Sequence, residues 1–439
     1  HTTPRSSSLT ITSVGQRFAE PPCLPEELLM AAPTMDHLEL TDLSDPIMFT
    51  NPFPRYAELR RNAPVSRVRS KQLVRQGGYL LARYDDVMML HTDKRFSNDF
   101  MINGRPGLMK LMPRMFRLLA DSMVFKDDPD HKRLRGLVNK AFTPKMVQRM
   151  ADDIERTVAV LLDDLDGRDV VDLVEQYAVP LPLSVISEML GVSDADRDQF
   201  HMWMKRFSEG AVAGPIQLIR ALPNGQRLMR LFERLAEQRR AQPDDRLISA
   251  LVRANEEGDH LNDQEVLAMI FLLLLAGHES TANFIGSATL ALLDNPEQLM
   301  RLRENPELID TAVEELLRYT TPVPCGAARI TLEDVEVAGV TIPKGSNVLG
   351  MIISANRDEG VFDHPDVLDL GRDPNRHITF AVGAHYCLGN QLARLEGRTA
   401  LAALVQRFEH IELAVARSEL RYKPTQSLRG LRSLPLRLR

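Results

Sequence analysis

Cysteine is scarce: 439 residues carry three, Cys23, Cys325 and Cys387. An odd, widely spaced set is no disulfide framework, and it suits a reducing cytoplasm. No CxxC or CxxCH occurs, which removes support for structural zinc and for covalent c-type haem. Aromatic residues make up only 5% of the chain, with one tryptophan. Long apolar runs are missing too. The longest, Val266 to Gly277, has twelve residues, where a membrane span needs about 20. The first forty residues place four prolines before residue 26 and hold nothing more apolar than "LLMAA". That is neither a signal peptide nor an anchor, and an N-terminal extension over residues 1–40 with little order is expected. Positive charge is in deficit, 54 Lys and Arg against 60 Asp and Glu, a net -6. A nucleic-acid partner, which calls for a basic surface, is disfavoured.

What is present is ordinary globular material, 44% hydrophobic and 26% charged, with a generous nineteen methionines. No Gly/Ser-rich or charge-rich linker interrupts residues 41–439, so they read as one large domain, although length alone would favour about three at ~150 residues each. Amphipathic periodicity predicts helices over 51–63, 85–92, 144–166, 182–190, 194–210, 224–240, 263–293, 305–319 and 389–408. Strand signals are few: "GGYLLARY" early, then "VEVAGVTIPKGSNVLGMII" and "IELAV" late. The chain reads as α-dominated with a small sheet.

The stretch "FAVGAHYCLG", Phe380 to Gly389, sets one cysteine among glycines just ahead of a helix. A lone cysteine is usually inert core. A thiolate at a helix N-terminus, however, is stabilised by free backbone N–H groups and the helix dipole. Gly383 and Gly389 let the backbone approach a flat ligand. A porphyrin iron held by a single thiolate needs this arrangement. Within the long apolar helix, "AGHEST" places the small residues Ala276 and Gly277 before a carboxylate, Glu279, and two hydroxyls, Ser280 and Thr281. A buried acid is costly unless it is paired or moves protons. "EELLR" sets Glu315 and Arg318 at i, i+3 on one helix face.

Taken together, F-x-x-G-x-H-x-C-x-G resembles the haem-thiolate loop of the cytochrome P-450 family, at Phe380, Gly383, His385, Cys387 and Gly389. The family often has glycine where this chain has Ala381. "AGHEST" resembles the family's oxygen-activation pattern A-G-x-D/E-T-T, with Ser280 in place of the first threonine. Glu315 and Arg318 resemble its buried structural ion pair, with Arg372 as third member. His131, Arg135, Arg329 and His385 match its propionate-binding positions. The resemblance spans about residues 45 to 439.

It implies a mainly α fold with a small β region, one domain holding haem b (iron protoporphyrin IX) between two helices, with Cys387 as the iron ligand. It implies a cytoplasmic monooxygenase of secondary metabolism that inserts one oxygen atom of O2 into a bulky apolar small molecule. Glu279 with Ser280 or Thr281 would deliver protons, and electrons would come from a ferredoxin-type partner with an NAD(P)H-dependent reductase. Lys132, Arg133 and Lys140 offer a docking face. The segment Met101 to Met123 carries five methionines and an excess of cations, Arg105, Lys110, Arg114 and Arg117, which fits an apolar and non-cationic substrate. A peroxide-driven peroxygenase or a haem-binding sensor are the alternatives. The retained Glu279 carboxylate argues against the first, and space at Ala276 and Gly277 against the second.

Overall fold

The computed structural model describes residues 38–70, 77–99, 114–213, 215–254 and 261–439. Leu38–Arg439 forms one compact unit. The expected extension lies, up to His37, outside the described residues, as do Met101, Arg105, Met109, Lys110 and Met112 of the methionine-rich segment.

Helices dominate, and their lengths follow the apolar periodicity. Two helices carry the chemistry. Asp263–Leu293 starts on a capping box, in which the Asn262 side chain accepts from Glu265 N–H at 3.0 Å and Glu265 accepts from Asn262 N–H at 2.8 Å. It is apolar on nearly every side and accordingly runs through the core, as an all-round hydrophobic helix must. The twelve-residue apolar run is thus part of a 31-residue helix that, by length and composition, could cross a membrane. Its side chains are instead spent on the interior. Asn390–Arg407 follows the cysteine loop and crosses it closely, for a Cβ on Gly397 would lie 2.5 Å from the Phe284 ring.

Some boundaries move for local reasons. The helix expected over 144–166 breaks into Pro144–Arg149 and Ala151–Leu165 at Met150. The helix expected over 224–240 extends back to Pro215 and accommodates Pro223. Leu247–Ala254 and Pro296–Glu304 are helices that the periodicity did not single out.

The sheet has more early strands than the single early signal suggests. Six short strands order as Leu40–Asp42, Val65–Arg69, Gly78–Leu81, Asn347–Gly350, Arg329–Thr331 and Phe96–Ser97. Early strands therefore pair with late ones: Tyr79 aligns with Val348 in parallel, and Phe96 with Thr331 antiparallel. Arg329 is the first residue of its strand. A three-stranded sheet (Ile411–Leu413, Pro435–Leu438, Val171–Asp172) and the hairpin Val335–Val337 with Val340–Ile342 make up the other strands among the described residues.

Candidate active site

The cysteine loop closes on itself, with Cys387 N–H donating to the Phe380 carbonyl at 2.9 Å. Gly383 sits at φ 73°, and a Cβ there would come within 2.7 Å of the His91 backbone oxygen. The protein's own backbone therefore already demands glycine at this position. Gly389 differs, since a Cβ there would meet no protein atom within 4 Å. Ala381 holds φ 55°, left-handed space that costs an L-residue about 1–2 kcal/mol and glycine little. The glycine that the family often carries here has a plain physical reason.

The Phe380 ring is buried and lies 4.4 Å under the Arg394 guanidinium. Arg394 reaches across to Glu314 on the Ile309–Thr320 helix with two bonds, 2.6 and 2.8 Å, and Glu314 also pairs with His377 at 2.9 Å. Despite its burial, the Glu314 carboxyl is held down at about 2 by these two partners. Cys387 keeps some exposure. Burial pushes its thiol up, while the Gly389 N–H, Arg135 and Arg394 pull toward the thiolate.

Beside the cysteine, the structure brings His131, Arg135, Arg329 and His385 together. The two imidazoles stack with centroids 4.1 Å apart. His131 is buried, its Nδ1 3.5 Å from Asp128 Oδ1, and its Nε2 has no partner among the described residues. Burial, His131 and Arg329 push His385 down to about 3, and burial lowers His131 as well. Burial also lowers Arg135, and it pushes Arg329 down to about 10. No carboxylate lies within ion-pair distance of either arginine among the described residues; Asp127 is the anion nearest Arg329 in effect. Two cations and an unpartnered imidazole nitrogen gathered next to a thiol are what a dicarboxylate ligand requires.

The long helix opens at one place. Its side chains are buried from Val266 to Leu272 and from Thr281 to Leu292, whereas Ala276 and Gly277 are exposed between them. Ser280 Oγ donates to the Ala276 carbonyl at 2.7 Å on this open face. Thr281 is buried, and its Oγ1 donates to the Gly277 carbonyl at 3.0 Å. Glu279 is half-buried and has a partner, Lys423 Nζ at 3.4 Å. The next-door His278 is buried, Nδ1 donating to Leu274 O at 2.8 Å, and burial lowers its pKa.

Glu315 and Arg318 are wholly buried and bonded in bidentate fashion at 2.7 and 2.8 Å. Arg372 adds a third bond to the same carboxylate at 3.0 Å. The basic face needs correction. Lys132 and Lys140 are exposed, but Arg133 is engaged by Glu265 at the start of the long helix. Met115 and Met123 of the methionine-rich segment pack in the core, and Arg114 pairs with Glu233. Sequence reasoning missed Lys423, Glu314 and Arg394. Only three-dimensional pairing reveals them, because each partner lies 80 or more residues away in the chain.

The residues fit haem: a thiol at a helix start, cations for two propionates, and an opening of small side chains in a buried helix. Comparison with known proteins agrees. The family description "Cytochrome P450" matches residues 114–429. The polyketide biosynthesis cytochrome P450 PksS of Bacillus subtilis (strain 168) is 41% identical over 394 residues, 88% of this chain and 96% of that protein. Its solved structure superposes with a TM-score of 0.81 and covers 90% of this chain and 98% of that one. The vitamin D(3) 25-hydroxylase of Pseudonocardia autotrophica is 39% identical over 401 residues, 91% of this chain and 96% of that protein. P450BioI, solved in complex with an acyl carrier protein bearing hexadec-9Z-enoic acid, is 34% identical with a TM-score of 0.81, covering 89% and 100%.

Proposed function

This chain belongs to the cytochrome P450 family, whose cofactor is haem b and whose enzymes are monooxygenases, and we propose that it oxygenates a bulky apolar small molecule of the polyketide, steroid or fatty-acyl kind. Relatives named for polyketide biosynthesis and for vitamin D(3) support that substrate class. Cytoplasmic action, with electrons from a ferredoxin-type protein and its NAD(P)H-dependent reductase, is part of the same reading. The observation that carries it is the opening at Ala276 and Gly277 in an otherwise buried helix.

Cys387 would ligate the iron, and His131, Arg135, Arg329 and His385 would hold the propionates. The bound haem supplies oxygen activation. Around it the chain has three tasks. Arg135, Arg394 and the Gly389 N–H favour the Cys387 thiolate over the thiol. Ala276 and Gly277 keep side-chain bulk off the reaction space. Ser280 presents a hydroxyl on that open face and Glu279 a carboxylate one residue away, positioned to pass protons through water.

Two measurements test the reading. Diverse apolar compounds should perturb the haem spectrum, and the best binder should give a product carrying one added oxygen atom with ferredoxin, reductase and NAD(P)H. Turnover that hydrogen peroxide alone sustains and reduced ferredoxin does not improve would replace the monooxygenase by a peroxygenase.

A further inference from the structure

The far end of the long helix borders a second cavity, of about 700 Å³, within the ~300–1,000 Å³ typical of small-molecule sites. Ser287, which lines it, follows Gly277 by ten residues, about 15 Å along the helix. The cavity opens to the surface at Thr50, Asn51 and Pro54, which are exposed. One wall is a ladder in which rings and guanidinium groups alternate. The Arg357 guanidinium lies 3.8 Å from the Tyr319 ring centroid and 4.3 Å from that of Phe53. Arg429 lies 5.5 Å from the Phe53 ring and 4.1 Å from that of Tyr422. Both arginines are more than nine-tenths buried, while the three rings are half-buried.

The charges around this cavity do not balance. Arg417 is paired with Asp294 and Arg357 with Asp366, whereas Arg429 donates to the Phe49 and Thr50 carbonyls at 2.6 and 3.1 Å. No carboxylate lies within ion-pair distance of Arg429 among the described residues. One positive charge is left over, and stacking on rings offsets only part of what its burial costs. Two buried polar atoms of the lining also lack partners, Ser287 Oγ and Arg357 Nε. Unpartnered buried groups of this kind call for an occupant that bonds to them. We propose that the cavity is a second ligand site, separate from the haem side, for a small organic monoanion with a flat apolar body, in chemical class an aryl carboxylate. The single excess charge selects a monoanion, and the rings select the flat body. The carboxylate meets Arg429 in charge-assisted hydrogen bonds, and the body lies against Phe53 and Tyr422.

The test uses the haem-loaded enzyme with the best compound of the spectral screen already bound, so that the haem side is filled. Calorimetric titration with naphthoate should then show saturable binding that leaves the haem spectrum unchanged. Acetate lacks the rings and naphthylmethanol lacks the charge, so each should bind roughly tenfold or more weakly. Arg429→Gln should weaken naphthoate binding by about tenfold or more through loss of the charge-assisted bonds. Ala57→Trp fills the cavity and alters no charge, and it should abolish naphthoate binding while the screen compound still perturbs the haem spectrum. Arg429 also ties down the Phe49 and Thr50 carbonyls, so if its variant fails to fold, Ala57→Trp decides alone. No naphthoate binding at millimolar concentration, or binding that Ala57→Trp leaves intact, overturns the site and makes the ladder purely structural. Binding that vanishes once the screen compound is present belongs to the haem side and overturns it too. Acetate binding as tightly as naphthoate would do the same, by reducing the cavity to an adventitious anion site.

Discussion

Two glutamates on neighbouring helices show how surroundings divide structure from chemistry. Glu315 accepts five hydrogen bonds: two from Arg318, and one each from Arg372, Asn375 and the Asp369 N–H, at 2.7 to 3.2 Å. Its side chain is fully buried. Arg318 spends its remaining donors on the carbonyls of Asn356, Pro365 and Val367. Glu279 has one cation at 3.4 Å, shared with Asn283, and keeps 16% of its side-chain surface exposed. A carboxylate with every lone pair committed cannot reorient without breaking several bonds. One with a single long contact can, and only such a group can carry a proton from place to place.

The largest effect should come from breaking the saturated site. Either Glu315→Ala or Arg318→Ala leaves an unpaired charge in the interior, at a cost of about 3–5 kcal/mol. The loop from Asn356 to Asn375 loses its anchor on the same helix. Both variants should yield little haem-loaded protein and melt well below the parent. Normal haem content in both would mean that the network is dispensable, and the contrast with Glu279 would lose its structural half.

The unsaturated site should fail differently. Ser280→Ala should leave haem content and ligand binding nearly intact while electrons are diverted to hydrogen peroxide, with product formation down by ~10²–10⁴-fold. Thr281→Ala should do less, since that hydroxyl is buried whereas Ser280 lies on the open face. Ser280→Thr should keep or improve coupling. Product per NAD(P)H across the three variants decides, and uncoupling by Thr281→Ala alone would transfer the hydroxyl role to Thr281.

Much of this contrast was legible in the chain. Local spacing exposed the cysteine loop, the AGHEST segment and the i, i+3 pair, because each depends on neighbours along one turn or helix. The long helices followed from apolar periodicity. Pairings distant in sequence stayed hidden. Val65–Arg69 reads "VSRVR", too polar to announce a strand, and Phe96–Ser97 owes its existence to pairing with Arg329–Thr331. Lys423 sits in "RYKPTQ" with no period at all. Arg133 looked like a free surface cation until Glu265 was placed beside it. The strain at Ala381 needed a backbone angle, which composition does not encode.

A third glutamate extends the comparison to its limit. Glu396, on the helix that follows Cys387, is buried, and its Oε2 has no partner among the described residues. Burial pushes its carboxyl from an ordinary 4.5 up to about 8. The folded state therefore binds a proton that the unfolded chain has already released between those values. Stability from this group is fully present below about 4.5 and is lost as pH rises through about 8. The slope is at most one proton, about 1.4 kcal/mol per pH unit. Glu396→Gln keeps the shape of the protonated acid and cannot ionise. It should match the parent in melting temperature at pH 5 and exceed it at pH 8, so that the two pH profiles diverge steadily between. Parallel profiles would mean that Glu396 finds a compensating partner in the folded enzyme.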